Sequence, residues 1–206
     1  MKLNKQAVTI YIVDDEFPIR DSLSMLIELA GFNVESYESA QVFLEHFKPE
    51  QPGCLVLDMR MPYMDGLELQ TELAQRCSDL PIIFMSGHGD VPISAKAFRA
   101  GAVDFIEKPF DNQLLLERIH EVVDKVLLAW PAVLEKRQVL ERYASLTCRE
   151  KEVFLLIIHN YSSKHAAKSL NISNRTVDVH RASIMRKMQA DSLNSLIIMA
   201  VAGGIL

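Results

Sequence analysis

The sequence has no apolar run near the ~18 residues that would cross a bilayer, which excludes a helical membrane protein. It has only three cysteines, Cys54, Cys77 and Cys148, odd in number and far apart. That spacing argues against a disulfide framework or a zinc site and suits a reducing, cytoplasmic setting. Each is expected as a small core residue rather than a redox switch. The N-terminal MKLNKQAVTIYIVDDE lacks a small-residue cleavage site and sets acids directly after its apolar run. It is expected as a first strand, not a signal peptide.

What is present is a foldable chain. Hydrophobic residues make up 49% and charged residues 24% of 206, enough for two modest domains or one of ordinary size. The charge is uneven. Residues 1–130 hold 11 Lys+Arg against 21 Asp+Glu, and residues 131–206 hold 11 against 6. An acidic half joined to a basic half suggests two domains with different partners, the basic one facing polyanions. Two unrelated solvated surfaces would give the same totals.

The acidic half alternates strand and helix. Val8–Val13, Asn33–Tyr37, Cys54–Leu57, Ile82–Met85 and Val103–Ile106 read as strands, separated by helical patterns after Pro18, Ser39, Gly66, Val91 and Asp111. Such alternation implies a doubly wound parallel sheet with helices on both faces. Strands that all point one way bring Asp14/Asp15, Asp58, Ser86 and Lys108, each at or just beyond the end of a different strand, to one rim. Any one of these could be a turn former; four together argue for a site.

Carboxylates gathered this closely cannot all ionise cheaply without a cation. Oxygen donors suit Mg²⁺ or Mn²⁺, and a carboxylate can be a nucleophile toward phosphorus. A lysine ammonium and a hydroxyl would then stabilise the phosphoryl oxygens.

These motifs carry a resemblance. Asp14-Asp15, Asp58 followed by MRMPYMDG, SGHGD from Ser86 and EKPF from Glu107 resemble the receiver domain of two-component response regulators, the FixJ branch in particular. The resemblance spans roughly residues 6–125. It implies an α/β five-stranded sheet in the order 2-1-3-4-5, a phospho-acceptor at Asp58 and metal ligation by Asp14, Asp15, Asp58 and the Arg60 carbonyl. It also implies that Lys108 pairs with the phosphoryl group, that Ser86 and Phe105 act as switch residues, and that Lys108–Pro109 is cis. Arg60 and His88 flank the expected site, and Glu16 reads as a helix-end acid rather than a ligand.

Residues 126–144 read as a helical linker in which Pro131 should break or kink the helix, with Val133–Tyr143 resuming it. Leu128, Trp130, Leu134 and Leu140 could form a dimer seam or pack on either domain. Beyond it, Thr147-Cys148-Arg149-Glu150 fits a capping box before an apolar helix. Ser163–Leu170 and Asn174–Met188, joined through Asn171, have the helix-turn-helix pattern, and Ser192–Ala202 is a fourth, apolar helix. On a helical wheel Val177, Ile184 and Met188 face inward. Arg175, Asp178, Val179, Ala182, Ser183 and Arg186 face outward, with Arg181 and Lys187 on flanks that could reach phosphates.

SLTCREKEVF and NISNRTVDVHRASIMRKM resemble the LuxR-type four-helix DNA-binding domain over about residues 143–204. The chain departs from that pattern at Cys148, where proline is common, at Asn160 and Asn171, where glycine is usual, and at His165, where glutamate is usual. The resemblance places Thr176 with the DNA-facing residues and assigns residues 145–206 to this domain. Together the two resemblances imply a bacterial, cytoplasmic transcription factor. Phosphorylation of Asp58 by a sensor histidine kinase would favour a homodimer on promoter DNA, with RNA polymerase as a further partner and no membrane contact.

Two other functions compete. An aspartate-nucleophile phosphohydrolase of the haloacid-dehalogenase kind would need a second Asp where Arg60 stands, so an enzyme is not expected. A phosphate-independent DNA binder would be indifferent to loss of Asp58.

Overall fold

The computed structural model describes residues 7–76, 79–87 and 91–206. Cys77 and His88 lie outside the described residues. The chain divides into two compact units, Met1–Trp130 and Pro131–Leu206.

The first unit is built on five strands, β1 (Thr9–Val13), β2 (Asn33–Tyr37), β3 (Gly53–Asp58), β4 (Ile82–Ser86) and β5 (Asp104–Glu107). They pair in parallel in the order β2-β1-β3-β4-β5. The helices between them are α1 (Phe17–Leu29), α2 (Ala40–His46), α3 (Gly66–Gln75) and α4 (Val91–Arg99), and α5 (Asn112–Ala144) follows.

The two-residue period of a strand sorts the core into two layers. Ile10, Ile12, Cys54, Val56, Ile83 and Met85 face Leu23 and Ile27 of α1 and Leu115, Ile119 and Val123 of α5. Their neighbours Tyr11, Val13, Leu55, Leu57, Ile82 and Phe84 face Phe43 of α2, Leu69 and Leu73 of α3 and Ala97 of α4. Every residue of β1, β3 and β4 is buried, as strands covered on both faces require. Helix entries are fixed by side-chain caps: Ser39 accepts from the Val42 amide, and Asp65 forms a reciprocal capping box with Glu68.

Of the two outcomes expected at Pro131, a break or a kink, the break is not seen. Helix α5 runs unbroken through it. A proline there removes one amide donor, but Val122, Val123 and Val126 pack into the first unit before it and Val139 into the second after it. Packing on both sides outweighs the local cost. Proline marks the division between units instead of a helix end.

The second unit has α6 (Cys148–Ile158), α7 (Ser163–Leu170), α8 (Asn174–Met188) and α9 (Leu193–Ala202). They surround a core containing Val139, Val153, Phe154, Ile157, Val177, Ile184, Met188, Leu196 and Ala200. Thr147 and Glu150 form the expected capping box, and Ser162, Ser173 and Ser192 cap the next three helices. Asn160 and Asn171 both take positive φ, 62° and 53°. Asparagine tolerates this conformation, so it serves in place of the usual glycines. Cys54 is wholly buried, its thiol pushed up to about 12 by burial. Cys148 departs from expectation: it is exposed, because the first residue of a helix on the unit's surface points outward.

Candidate functional site

Three of the expected residues meet at the carboxyl ends of the strands. The Lys108 ammonium donates to Asp14 Oδ2 at 2.8 Å and to Asp58 Oδ1 at 2.6 Å. Asp14 follows β1, Asp58 ends β3 and Lys108 follows β5, so residues 94 and 50 apart in sequence converge only through the parallel sheet. Asp14 is fully buried, and its other oxygen accepts from the Glu16 amide at 2.9 Å. Asp58 Oδ2 accepts from the Arg60 amide at 2.8 Å. The strand ends are laced together by Met59 N to Met85 O at 2.8 Å and Lys108 N to Ser86 O at 2.6 Å.

Burial pushes the Asp58 carboxyl above its ordinary value, and the Lys108 contacts only partly offset it. Burial works against the Lys108 ammonium too, but hydrogen bonds to Asp14 and Asp58 outweigh it and hold its pKa above the ordinary value. Among the described residues two carboxylates thus share one ammonium in a poorly hydrated place. Ser86 lies on the adjoining strand, almost wholly buried, and its Oγ has no hydrogen-bond partner among the described residues.

Asp15 is exposed at the rim, one residue beyond the buried cluster. Among the described residues no group of three or more acids, histidines or cysteines is placed to hold a metal. The oxygen donors brought together are those of Asp14 and Asp58, a set that still suits Mg²⁺, which takes one or two carboxylates and fills its octahedron with water and phosphate oxygens. Glu16 is the N-cap residue of α1, as a helix-end acid should be. Phe105 is half-buried against the layer formed with α2, α3 and α4. The Lys108–Pro109 peptide is cis.

The sequence reading starts a helix at about Gly66, and Gly66 is the first residue of α3, but its close approach to Asp58 was not foreseen. A Cβ on it would come within 2.7 Å of the Asp58 carbonyl oxygen and 2.9 Å of the Phe84 ring. The helix start can press against the Asp58 backbone only because that side chain is absent. Arg20 was missed as well; its guanidinium donates to the Asp14 carbonyl at 2.8 Å.

In the second unit α7 and α8 form the helix-turn-helix. Arg175, Asp178, Val179, Ala182 and Arg186 are exposed along α8, and Thr176 and Arg181 are half-exposed. Thr176 takes part in the helix cap through its amide to Ser173 Oγ at 3.0 Å. Ser183 and Lys187 depart from the wheel reading. The Ser183 hydroxyl donates to Glu150 Oε1 and the Lys187 ammonium to Glu150 Oε2, both at 2.6 Å. Glu150 is 4% exposed, and a buried carboxylate must be paired. A wheel assigns faces by angle alone and cannot register the anion that α6 presents to α8.

Comparison with known proteins agrees with this geometry. Residues 10–120 match the response regulator receiver domain, and residues 144–200 match the luxR family of bacterial regulatory proteins. The chain is 42% identical over 196 residues to the transcriptional regulatory protein FixJ of Rhizobium meliloti, covering 95% of this chain and 96% of that one. It is 40% identical to the response regulator protein TodT of Pseudomonas putida, covering 95% and 86%. Among solved structures it is similar to the response regulator StyR, with TM-score 0.67 and 41% identity over 95% and 98% of the two chains. Full-length FixJ from B. japonicum gives TM-score 0.55 and 40% identity over 96% and 98%. The chain thus belongs to the two-component response regulators of the FixJ type, a receiver domain joined to a LuxR-type DNA-binding domain in a phosphorylation-controlled transcription factor.

Proposed function

We propose that Asp58 is the phospho-acceptor and that its modification by a sensor histidine kinase drives dimerisation and promoter binding. The observation that supports this most directly is the Lys108 ammonium bridging Asp14 and Asp58, with a buried Ser86 hydroxyl on the adjoining strand that has no hydrogen-bond partner among the described residues. The Asp58 carboxylate attacks the phosphorus of a phosphohistidine. A P–O bond forms, the P–N bond breaks, and its electron pair stays on the donor imidazole.

Lys108 sits where it can pair with the incoming phosphoryl oxygens, and Ser86 supplies a hydroxyl that can donate to one of them. Asp14 and Asp58, with the Arg60 carbonyl and the adjoining Asp15, are the residues that would hold Mg²⁺ or Mn²⁺, which supplies charge neutralisation at the transferring group. The product is a stoichiometric modification, and the chain is not a turnover enzyme. Arg60 occupies the position from which a phosphohydrolase would protonate its leaving group.

The added charge draws Ser86 inward and, with Phe105, alters the face formed by α4, β5 and α5. A hundredfold bias between inactive and active states needs roughly 3 kcal/mol of differential contacts, within reach of a lysine pair, a hydroxyl bond and a cation. The activated chain then acts as a homodimer, setting two copies of α8 in half-sites about one helical turn apart. Arg175, Thr176, Asp178, Val179, Arg181, Ala182 and Arg186 are the DNA-facing residues, residues 6–125 the receiver, 126–144 the connecting helix and 145–206 the DNA-binding domain. RNA polymerase is the onward partner, and the setting is the bacterial cytoplasm.

Intact-mass measurement with gel shift tests this reading. Acetyl phosphate with Mg²⁺ should add about 80 Da, one phosphoryl group, and tighten promoter binding. Asp58→Asn should gain no mass and show no tightening. Equal activation of wild type and Asp58→Asn would leave the phosphate-independent binder standing. Continuous release of phosphate from esters would restore the enzyme.

A further inference from the structure

The hydroxyl of Ser163, at the first residue of α7, donates to Asp178 Oδ1 at 3.0 Å. It also accepts from Arg181 Nη1 at 3.5 Å. Asp178 and Arg181 lie three residues apart on α8, so one hydroxyl joins an acid and a base on neighbouring turns. Asp178 is exposed beside Val179, which is 63% exposed on the same helix.

A carboxylate on a surface that meets DNA is repelled by every phosphate. It gains only where it accepts a hydrogen bond from a base edge. In the major groove two groups donate, the cytosine N4 and the adenine N6 amines. Adenine sets its N7 acceptor beside N6, and a carboxylate has no hydrogen with which to satisfy N7. Cytosine presents its amine without an acceptor on the same base edge. We infer that Asp178, held by Ser163, makes this protein select cytosine at one fixed position of each half-site. The inference rests on the DNA-facing assignment of α8 above. Ser163 is a positioning residue: it occupies one carboxylate oxygen and restricts the side chain, leaving Oδ2 for the base.

The test is selection from randomised duplexes by the full-length chain activated with acetyl phosphate and Mg²⁺. Wild type should enrich cytosine at one column per half-site. D178N should move that column to adenine, because asparagine can bond N6 and N7 together, with a change of about tenfold confined to that column. S163A should flatten the same column, and S163T, which keeps the hydroxyl, should restore it. A column that stays cytosine in D178N overturns the inference, as does a loss spread evenly over all columns in D178N and S163A. Wild-type selection of adenine there overturns it too. Enrichment of no sequence at all by wild type would overturn the DNA-facing assignment itself, a failure distinct from the others.

Discussion

Each unit pairs a half-buried lysine with buried carboxylate, and the two arrangements differ in what is left over. Lys108 is shared by two carboxylates, Asp14 and Asp58, and the Ser86 hydroxyl on the adjoining strand has no hydrogen-bond partner among the described residues. Around Lys187 there is one carboxylate, Glu150, and both of its oxygens are taken: Oε1 by Ser183, Oε2 by Lys187 and by the Thr147 amide at 2.7 Å. The carboxyl pKa values move in opposite directions. Burial drives Asp58 up, whereas the Lys187 and Ser183 contacts bring Glu150 down to about 2. One ammonium shared by two carboxylates, with a donor unpartnered among the described residues, suits reversible chemistry; a closed pair suits holding α6 to α8. Ion pairing alone does not identify a reactive site, and the remainder does.

The closed site should be the harder one to damage quietly. Lys187→Met leaves Glu150 buried without its counter-ion. Breaking a buried pair costs about 3–5 kcal/mol, with the lower end expected here because the Lys187 side chain is 29% exposed. For a domain of this size about 3 kcal/mol lowers the melting temperature by more than about 10 °C. Calorimetry of the full chain should show that loss in the second unit; an unchanged transition would mean the Glu150 network contributes nothing.

Acid probes the same network more gently. The folded Glu150 value, about 2, lies below the ordinary 4.5, so the ionised group contributes fully above pH 4.5 and its contribution drains away as the pH falls toward about 2. Protonation leaves a neutral group that still bonds the Thr147 amide, so the loss should be smaller than in Lys187→Met. Glu150→Gln should remove that share of the acid slope, read as the difference from wild type in urea midpoint between pH 5 and pH 2.

These contrasts also show where the sequence was readable. Strand ends that collect Asp14, Asp58, Ser86 and Lys108 were legible because a parallel sheet converts sequence order into one rim; which strand residues enter which core layer was not read. Asn171 and the Thr147–Glu150 capping box were legible because caps and left-handed turns are local chemistry. Ser183 and Lys187 were not, since their partner Glu150 is more than 30 residues away on another helix. Pro131 was legible only in part: its local rule allowed a break or a kink, and packing from both cores decided against the break.

At the open site, removing charge should help the fold while abolishing the response. A carboxyl whose folded pKa is raised opposes folding at every pH above its unfolded value. Asp58→Asn should therefore melt higher than wild type at pH 7, and that advantage should shrink as the pH falls and Asp58 takes up its proton. A lower melting temperature would mean the Lys108 pairing outweighs burial.

The smallest expected effect separates the two units by backbone rather than charge. Tyr63, in the loop between Asp58 and α3, has φ 67° and is 98% exposed, so no packing repays the conformation. A non-glycine residue there costs about 1–2 kcal/mol, and glycine returns about 0.5–1 of that through its freer unfolded chain. Tyr63→Gly should thus stabilise the first unit by about 0.5 kcal/mol. The same change at Asn171, φ 53°, should be close to neutral, because asparagine already tolerates the turn. Equal gains at both positions in urea unfolding would show that backbone strain is shared between the units; a gain only at Tyr63 would place it beside the open carboxylate cluster.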